Sequence, residues 1–329
     1  MKAHQSLFGR KALWLLKIGV SALFVAWLIS MVDISALGTH IGNLRWHYLA
    51  VSLASISTLH FWNILRWRLC IRFFFTPPSL RHLMVSYFSG LFVGQLLPSE
   101  YGGDLIRAKD TWRFTTVKSQ AVVSVILSRL TGLAGAYLLL LVAGLMQLKP
   151  LATSGLQVYW MLIVIGLPVV VAVMATIVIV TRRFPVPARW RGLAESLQSR
   201  FDSIVVPLRA CVADRAGLSL LLLHSLGPQV VMAVNLQLFM LAANLELQFH
   251  SLLLISPCIA FISIVPLGLG GLGWKESALV VLLGFCDVSP ESALLIGLLS
   301  RAMQYVFAAA GALVSPFRSQ LLYSPMTND

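Results

Sequence analysis

The chain has 329 residues, 58% of them hydrophobic and 11% charged, with a mean hydropathy of +0.85, and that makeup excludes a soluble globular domain. A formal net charge of +13 would suit nucleic acid, but the basic residues fall between apolar runs. Cytoplasmic loops beside anionic lipid account for them, so no nucleic-acid partner is expected. Cys70, Cys211, Cys258 and Cys286 show no Cys-x-x-Cys or Cys/His spacing, which points to neither a metal site nor a disulfide framework.

The N-terminus starts basic and runs into an apolar stretch at about 12–31. It is too long for a signal-peptide core and lacks a small-residue cleavage site, so it reads as a retained first helix. A span needs about 20 mostly apolar residues, and further stretches of that kind lie at about 47–66, 119–148, 157–181, 216–243 and 291–314. Two apolar pieces do not fit as simple spans. Residues 83–97 are short and stop at Pro98, and residues 251–286 form two short arms around SIVPLGLGGLGWKE (263–276). Irregular backbone at membrane depth persists only where protein or a cavity surrounds it, so each piece reads as a re-entrant hairpin broken by Gly and Pro. The loop 182–215 mixes arginines with Trp190, Leu193, Leu197, Phe201 and Ile204 at helical spacing and reads as an amphipathic helix on the cytoplasmic face.

The positive-inside rule puts 1–11, 67–82, 99–118, 182–215 and 315–329 in the cytoplasm and leaves only Arg45 and Lys149 as cations on the far side. Both termini are then cytoplasmic. The expected fold is an all-α polytopic membrane protein, a single integral membrane domain over 1–329 with about six full spans and two re-entrant hairpins. No soluble domain is expected before or after it.

The two broken pieces match. LLPSEYGGDLIR (96–107) and SIVPLGLGGLGW (263–274) pair Pro98, Gly102 and Gly103 with Pro266, Gly270 and Gly271, the prolines lying 168 residues apart. Downstream of each comes an apolar helix with Leu-Ser-Arg near its start, carrying Arg129 and Arg301. Residues of about 12–148 and 157–314 would be inverted-topology repeats, with interrupted segments in corresponding positions, the best sequence pointer to a transporter's central site. One segment resists: DLIRAKDTWRFTTVK (104–118) is too polar for a buried return arm and is expected at the cytoplasmic interface.

An intramembrane arginine costs roughly 2.5–3.5 kcal/mol on translocon scales, so it normally faces a partner or a wet cavity. Arg129 and Arg301 therefore read as a cationic site for a lipid phosphate, or as residues that snorkel or pair with Asp104, Glu276 or Glu291. Lys275 and Glu276 open the helix after the second glycine run, where a helix N-terminus favours an anion; the alternative is a first-turn acid with its charge partner. Glu100 and Asp104 flank the first Gly-Gly and are either coupling carboxylates or merely solvated. His60, His224, Asn63, Asn235 and Gln304 fall within spans and read as interhelical hydrogen-bonding residues. No nucleotide-binding loop, nucleophile elbow or His-Glu-x-x-His motif is present, so no catalytic residue, cofactor or metal is expected.

GLFVGQLLPSEYGGDLIR and ISIVPLGLGGLGWKESALVVLLG, with Arg129 and Arg301, resemble the lysylphosphatidylglycerol synthase transmembrane-domain family of flippase-like integral membrane proteins. The resemblance covers about residues 10–315. It implies translocation of a phospholipid or glycolipid across a bacterial inner membrane. By motif position it implies a central region of Pro98, Gly102, Gly103, Asp104, Pro266, Gly270, Gly271, Lys275 and Glu276. The bifunctional members also carry a soluble aminoacyl-transferase domain, which is not expected here, so transporter is favoured over enzyme. The alternatives are a membrane-embedded transferase acting on a lipid carrier, using Glu100, Asp104 or Glu276, or an accessory subunit whose partner is a lipid-biosynthesis enzyme.

Overall fold

The computed structural model describes residues 19–31, 33–97, 102–146, 158, 160–166, 168, 169, 214–265 and 270–318. Its helices are α1 (Gly19–Met31), α2 (Ile34–Gly42), α3 (Trp46–Arg72), α4 (Leu80–Leu96), α5 (Gly102–Thr111), α6 (Lys118–Met146), α7 (Arg215–Ala242), α8 (Phe249–Ile262), α9 (Trp274–Gly284) and α10 (Pro290–Val314). Short 3-10 turns follow α5 and α10, and no strand occurs among the described residues. The protein is an all-helical, multi-pass membrane protein.

Four helices, α3, α6, α7 and α10, are long and apolar enough to cross a membrane, and they fall on the spans expected at 47–66, 119–148, 216–243 and 291–314. At 1.5 Å per residue the 27 residues of α3 reach about 40 Å, enough for a hydrocarbon core of about 30 Å. The described part of the first expected span is α1, and residues 160–166 of the fourth are helical. The remainder of 157–181, the amphipathic loop up to residue 213, and the two break prolines, Pro98 and Pro266, lie outside the described residues.

Both short apolar pieces fold as expected for interrupted segments: α4 stops at Leu96, and α8 and α9 are separated by the turn that ends in Gly270–Gly273. The polar stretch 104–118 departs from expectation. Its first part is α5, a helix that packs on α4 and α6 with Arg107, Asp110 and Thr111 buried. Polarity does not keep these residues out of the protein interior because Asp104 pairs with Arg107 and Arg129, and Asp110 with Arg318. Thr111 likewise spends its hydroxyl on the carbonyls of Arg107 and Ala108.

Packing relations recur between the halves. α4 packs on α5 as α8 packs on α9, α5 on α6 as α9 on α10, and α4 on α10 as α8 on α6, while α3 lies along α7. Small residues set the closest approaches. A Cβ at Gly103 would overlap the Gly90 carbonyl on α4, one at Gly135 the Ser225 backbone on α7, and one at Gly311 the Phe88 carbonyl on α4.

Candidate functional site

The second hairpin is built around a turn that only glycine accepts. Gly270, Gly271 and Gly273 have φ of 53°, 71° and 79°, in the left-handed region where a Cβ is penalised. Such a turn leaves carbonyls unmet, and Arg301 meets them: Nη1 donates to the Gly270 carbonyl at 2.9 Å and Nη2 to that of Gly271 at 2.8 Å. The same guanidinium donates through Nε to Glu276 Oε1 at 2.7 Å and through Nη2 to Oε2 at 3.1 Å. Glu276 Oε2 in turn accepts from the Gly273 N–H at 2.8 Å, capping α9, and the Trp274 indole donates to the Ile262 carbonyl at the end of α8. The Arg301 and Glu276 side chains are only 6% and 7% exposed. This is a fully bonded buried pair that clasps the turn to α10. Lys275, in the first turn of α9, folds back over the turn, its Cε 3.1 Å from where a Cβ on Gly271 would stand.

The first hairpin carries the same clasp in looser form. Arg129 Nε donates to Asp104 Oδ2, and Arg107 Nη1 donates to Asp104 Oδ1 at 3.2 Å. Here the arginine side chain is 40% exposed and the acid 18%. The register between the halves is strict: 172 residues separate Gly102 from Trp274 at the starts of α5 and α9, Lys118 from Pro290 at the starts of α6 and α10, Asp104 from Glu276, and Arg129 from Arg301. Each arginine stands eleven residues into its helix, about 16 Å from the helix start.

That register corrects the pairing of the glycines. Aligned by motif, Gly102 and Gly103 match Gly270 and Gly271 at a spacing of 168, but structurally they stand opposite Trp274 and Lys275. Five residues, 97–101, lie between α4 and α5 and eleven, 263–273, between α8 and α9, and the glycines do different work in the two halves. Gly102 and Gly103 lie in the first turn of α5, packed against Leu97 and Gly90, while Gly270 and Gly271 supply left-handed backbone.

The second turn meets the end of α4. A Cβ on Gly270 would stand 3.5 Å from the Gln95 side-chain oxygen and 3.9 Å from the Gln95 carbonyl, placing the second turn against the end of α4. Gln95 was not singled out by sequence reasoning. The signal for it was a lone amide in the apolar arm GLFVGQLL. Sequence reasoning also passed over Arg66 and Arg107, both buried around the first hairpin. Arg66 closes an expected span, and it sits 9% exposed with its guanidinium against Gly132 of α6. Glu100 lies outside the described residues.

Among the residues read as interhelical glue, His60 Nδ1 lies 3.2 Å from the Tyr87 hydroxyl, the Trp62 indole donates to His224 Nδ1, and Asn235 bonds Ser52 between α7 and α3. No cluster of three or more metal-ligating side chains occurs among the described residues.

A family model for the lysylphosphatidylglycerol synthase transmembrane region matches residues 14–311. The chain belongs to that family. No curated protein and no solved structure matches it. Membership makes this a membrane protein linked to lipid modification or flipping.

Proposed function

We propose that this member of the lysylphosphatidylglycerol synthase transmembrane-region family is a flippase-like transporter that moves an anionic or modified phospholipid or glycolipid headgroup between leaflets of a bacterial inner membrane. The observation that carries the reading is the meeting of two broken helical hairpins at Gln95 and Gly270, each held by an acid–arginine clasp at the same register. Interrupted helices that meet at bilayer depth are the usual architecture of a transporter site. With six spans, both termini cytoplasmic and one hairpin entering from each side, the halves become inverted repeats, and the recurring packing relations support that arrangement.

In this mechanism Arg129, with two fifths of its side chain exposed, and Lys275, folded over the opposite turn, meet the headgroup. Arg301 joins them only by giving up Glu276 or a glycine carbonyl, so binding would be coupled to release of the second turn. Gly270, Gly271 and Glu276 shape that turn, and Gly102, Gly103 and Asp104 shape the first return helix. The break prolines Pro98 and Pro266 are proposed to end the entering arms.

The test is leaflet exchange in proteoliposomes with labelled anionic and zwitterionic phospholipids, comparing wild type with Arg129→Gln, which leaves the buried clasp intact. Headgroup-selective exchange that the substitution slows supports translocation. No exchange from folded protein across several headgroups refutes it, and the function then passes to a membrane-embedded transferase or to an accessory subunit of a lipid-modifying complex.

A further inference from the structure

The contact between α4 and α10 is uneven. At Gly311 it is so close that a Cβ would overlap the Phe88 carbonyl and crowd the Phe92 side chain. One turn further along α10, at Val314, a groove of about 310 Å³ opens between the two helices, lined by Leu80, Arg81, Met84, Val85, Phe88 and Val314. Ligand sites run from about 300 to 1,000 Å³, so the groove suits something slender. Leu80, Met84 and Phe88 follow one another at i, i+4 and i+8, a single ridge of α4, which makes the lining an apolar channel along the helix. Arg81 is the charged residue in that lining. It is exposed and makes no ion pair among the described residues.

The walls are held from behind by one residue, Asp110 at the end of α5. On the α4 side, His82 Nε2 lies 3.1 Å from the Asp110 carbonyl oxygen. On the α10 side, Arg318, four residues past Val314, donates to the Asp110 carboxylate through Nε and Nη2. The groove is therefore formed before anything enters it, which lowers the ordering cost of binding. The Asp110 carboxylate, fully buried and committed to Arg318, leaves the positive charge of Arg81 to a ligand.

We infer that the groove between α4 and α10 holds one acyl chain of an anionic phospholipid, with the lipid phosphate on the Arg81 guanidinium. The chemistry is complementary along its length: a methylene chain lies on Leu80, Met84, Phe88 and Val314, and a guanidinium fork meets phosphate oxygens. Within hydrocarbon the driving force is packing, since an unfilled groove forfeits dispersion contacts that a chain restores. Arg81 is the second residue of α4, on the side that the positive-inside rule assigns to the cytoplasm, so the lipid comes from that leaflet. The single charge of Arg81 selects an anionic headgroup over a zwitterionic one, whose own cation it repels. The inference asks only that the protein lie in a bilayer, and it stands whether or not the protein translocates lipid.

The experiment is photo-crosslinking of the full-length protein in phosphatidylcholine nanodiscs, using phosphatidylglycerol with a diazirine on one acyl chain and mapping the adducts by mass spectrometry. Adducts are expected on residues 80–88 and 314. Unlabelled phosphatidylglycerol should compete about fivefold better than phosphatidylcholine of the same chains, the preference one arginine beside the membrane surface supplies. Arg81→Gln should erase that preference and leave the position of the adducts unchanged. Met84→Trp fills the groove from α4 and should lower the adduct yield about tenfold. Val314→Trp fills it from α10 and should act alike, which keeps the test open if either variant fails to fold. Arg129→Gln, remote from the groove lining, should leave adducts and preference as in wild type.

Equal competition by the two headgroups in wild type overturns the inference, as does an adduct yield that a folded Met84→Trp or Val314→Trp leaves unchanged. Adducts spread evenly over the outer faces of α3, α7 and α10 also overturn it, because they would mark ordinary solvation by lipid.

Discussion

Replacing Arg301 with alanine removes four hydrogen bonds at once and strands the Glu276 carboxylate in a buried place, with the Gly273 N–H left as its capping partner. Breaking one side of a buried pair costs about 3–5 kcal/mol, most of it the penalty of the uncompensated charge. The same substitution at Arg129 removes a pair whose arginine is 40% exposed, where solvent screening reduces the loss to about 1 kcal/mol or less. Equal chemistry at equivalent positions is therefore expected to differ by at least about 2 kcal/mol. Unfolding in mixed micelles with increasing denaturing detergent, followed by circular dichroism, measures both. Arg301→Lys should recover only part of the loss, since an ammonium cannot reach two carbonyls and both carboxylate oxygens in the plane of a guanidinium. Similar costs for Arg301→Ala and Arg129→Ala would refute the argument that the second turn is clasped more tightly than the first.

Gly273→Ala should destabilise by about 1–2 kcal/mol from its left-handed φ alone, and further from the approach of Phe24, whose Cβ would lie 2.7 Å away; the same micelle unfolding checks it. Gly103→Ala should fail to fold or lose thermal stability because the new methyl overlaps the Gly90 carbonyl, whereas Gly284→Ala, with open space around it, should be neutral or stabilising by up to about 1 kcal/mol. Asp110→Asn should lower stability by about 2 kcal/mol, since the Asp110 side chain is fully buried and receives Arg318 through two nitrogens. Arg318→Ala in the same background should add little, and a double-mutant cycle reads that coupling.

Four of the six expected spans and the breaks after α4 and α8 were legible because hydropathy and Gly/Pro punctuation follow from bilayer thickness and from the need to satisfy every backbone group. Asp104 and Glu276 were legible, with Glu291, only as the alternative to a lipid-phosphate site, since an intramembrane arginine normally faces a partner or a wet cavity. The burial of α5 was not legible, because Asp110 is paired by Arg318, a residue that sequence spacing gives no reason to bring there. The glycine pairing misled for a related cause. Identical dipeptides stand at a spacing of 168, but the helices keep 172, and only the left-handed φ values tell which glycines form a turn. Arg66 was hidden by its place at the end of a span, where a cation ordinarily reaches water.

The Arg301 clasp also constrains how the protein is made. As the chain leaves the ribosome, α8 and α9 emerge before α10, so the Gly270 and Gly271 carbonyls must wait for a donor that lies 31 and 30 residues downstream. Hydrocarbon offers them none. The second turn thus cannot satisfy these carbonyls through Arg301 until α10 has been delivered beside it, whereas Asp104 meets Arg107 within its own helix and starts to neutralise early. Assembly is expected to end where the clasp closes, with truncation before residue 301 leaving a nascent chain that the quality-control proteases of the membrane remove.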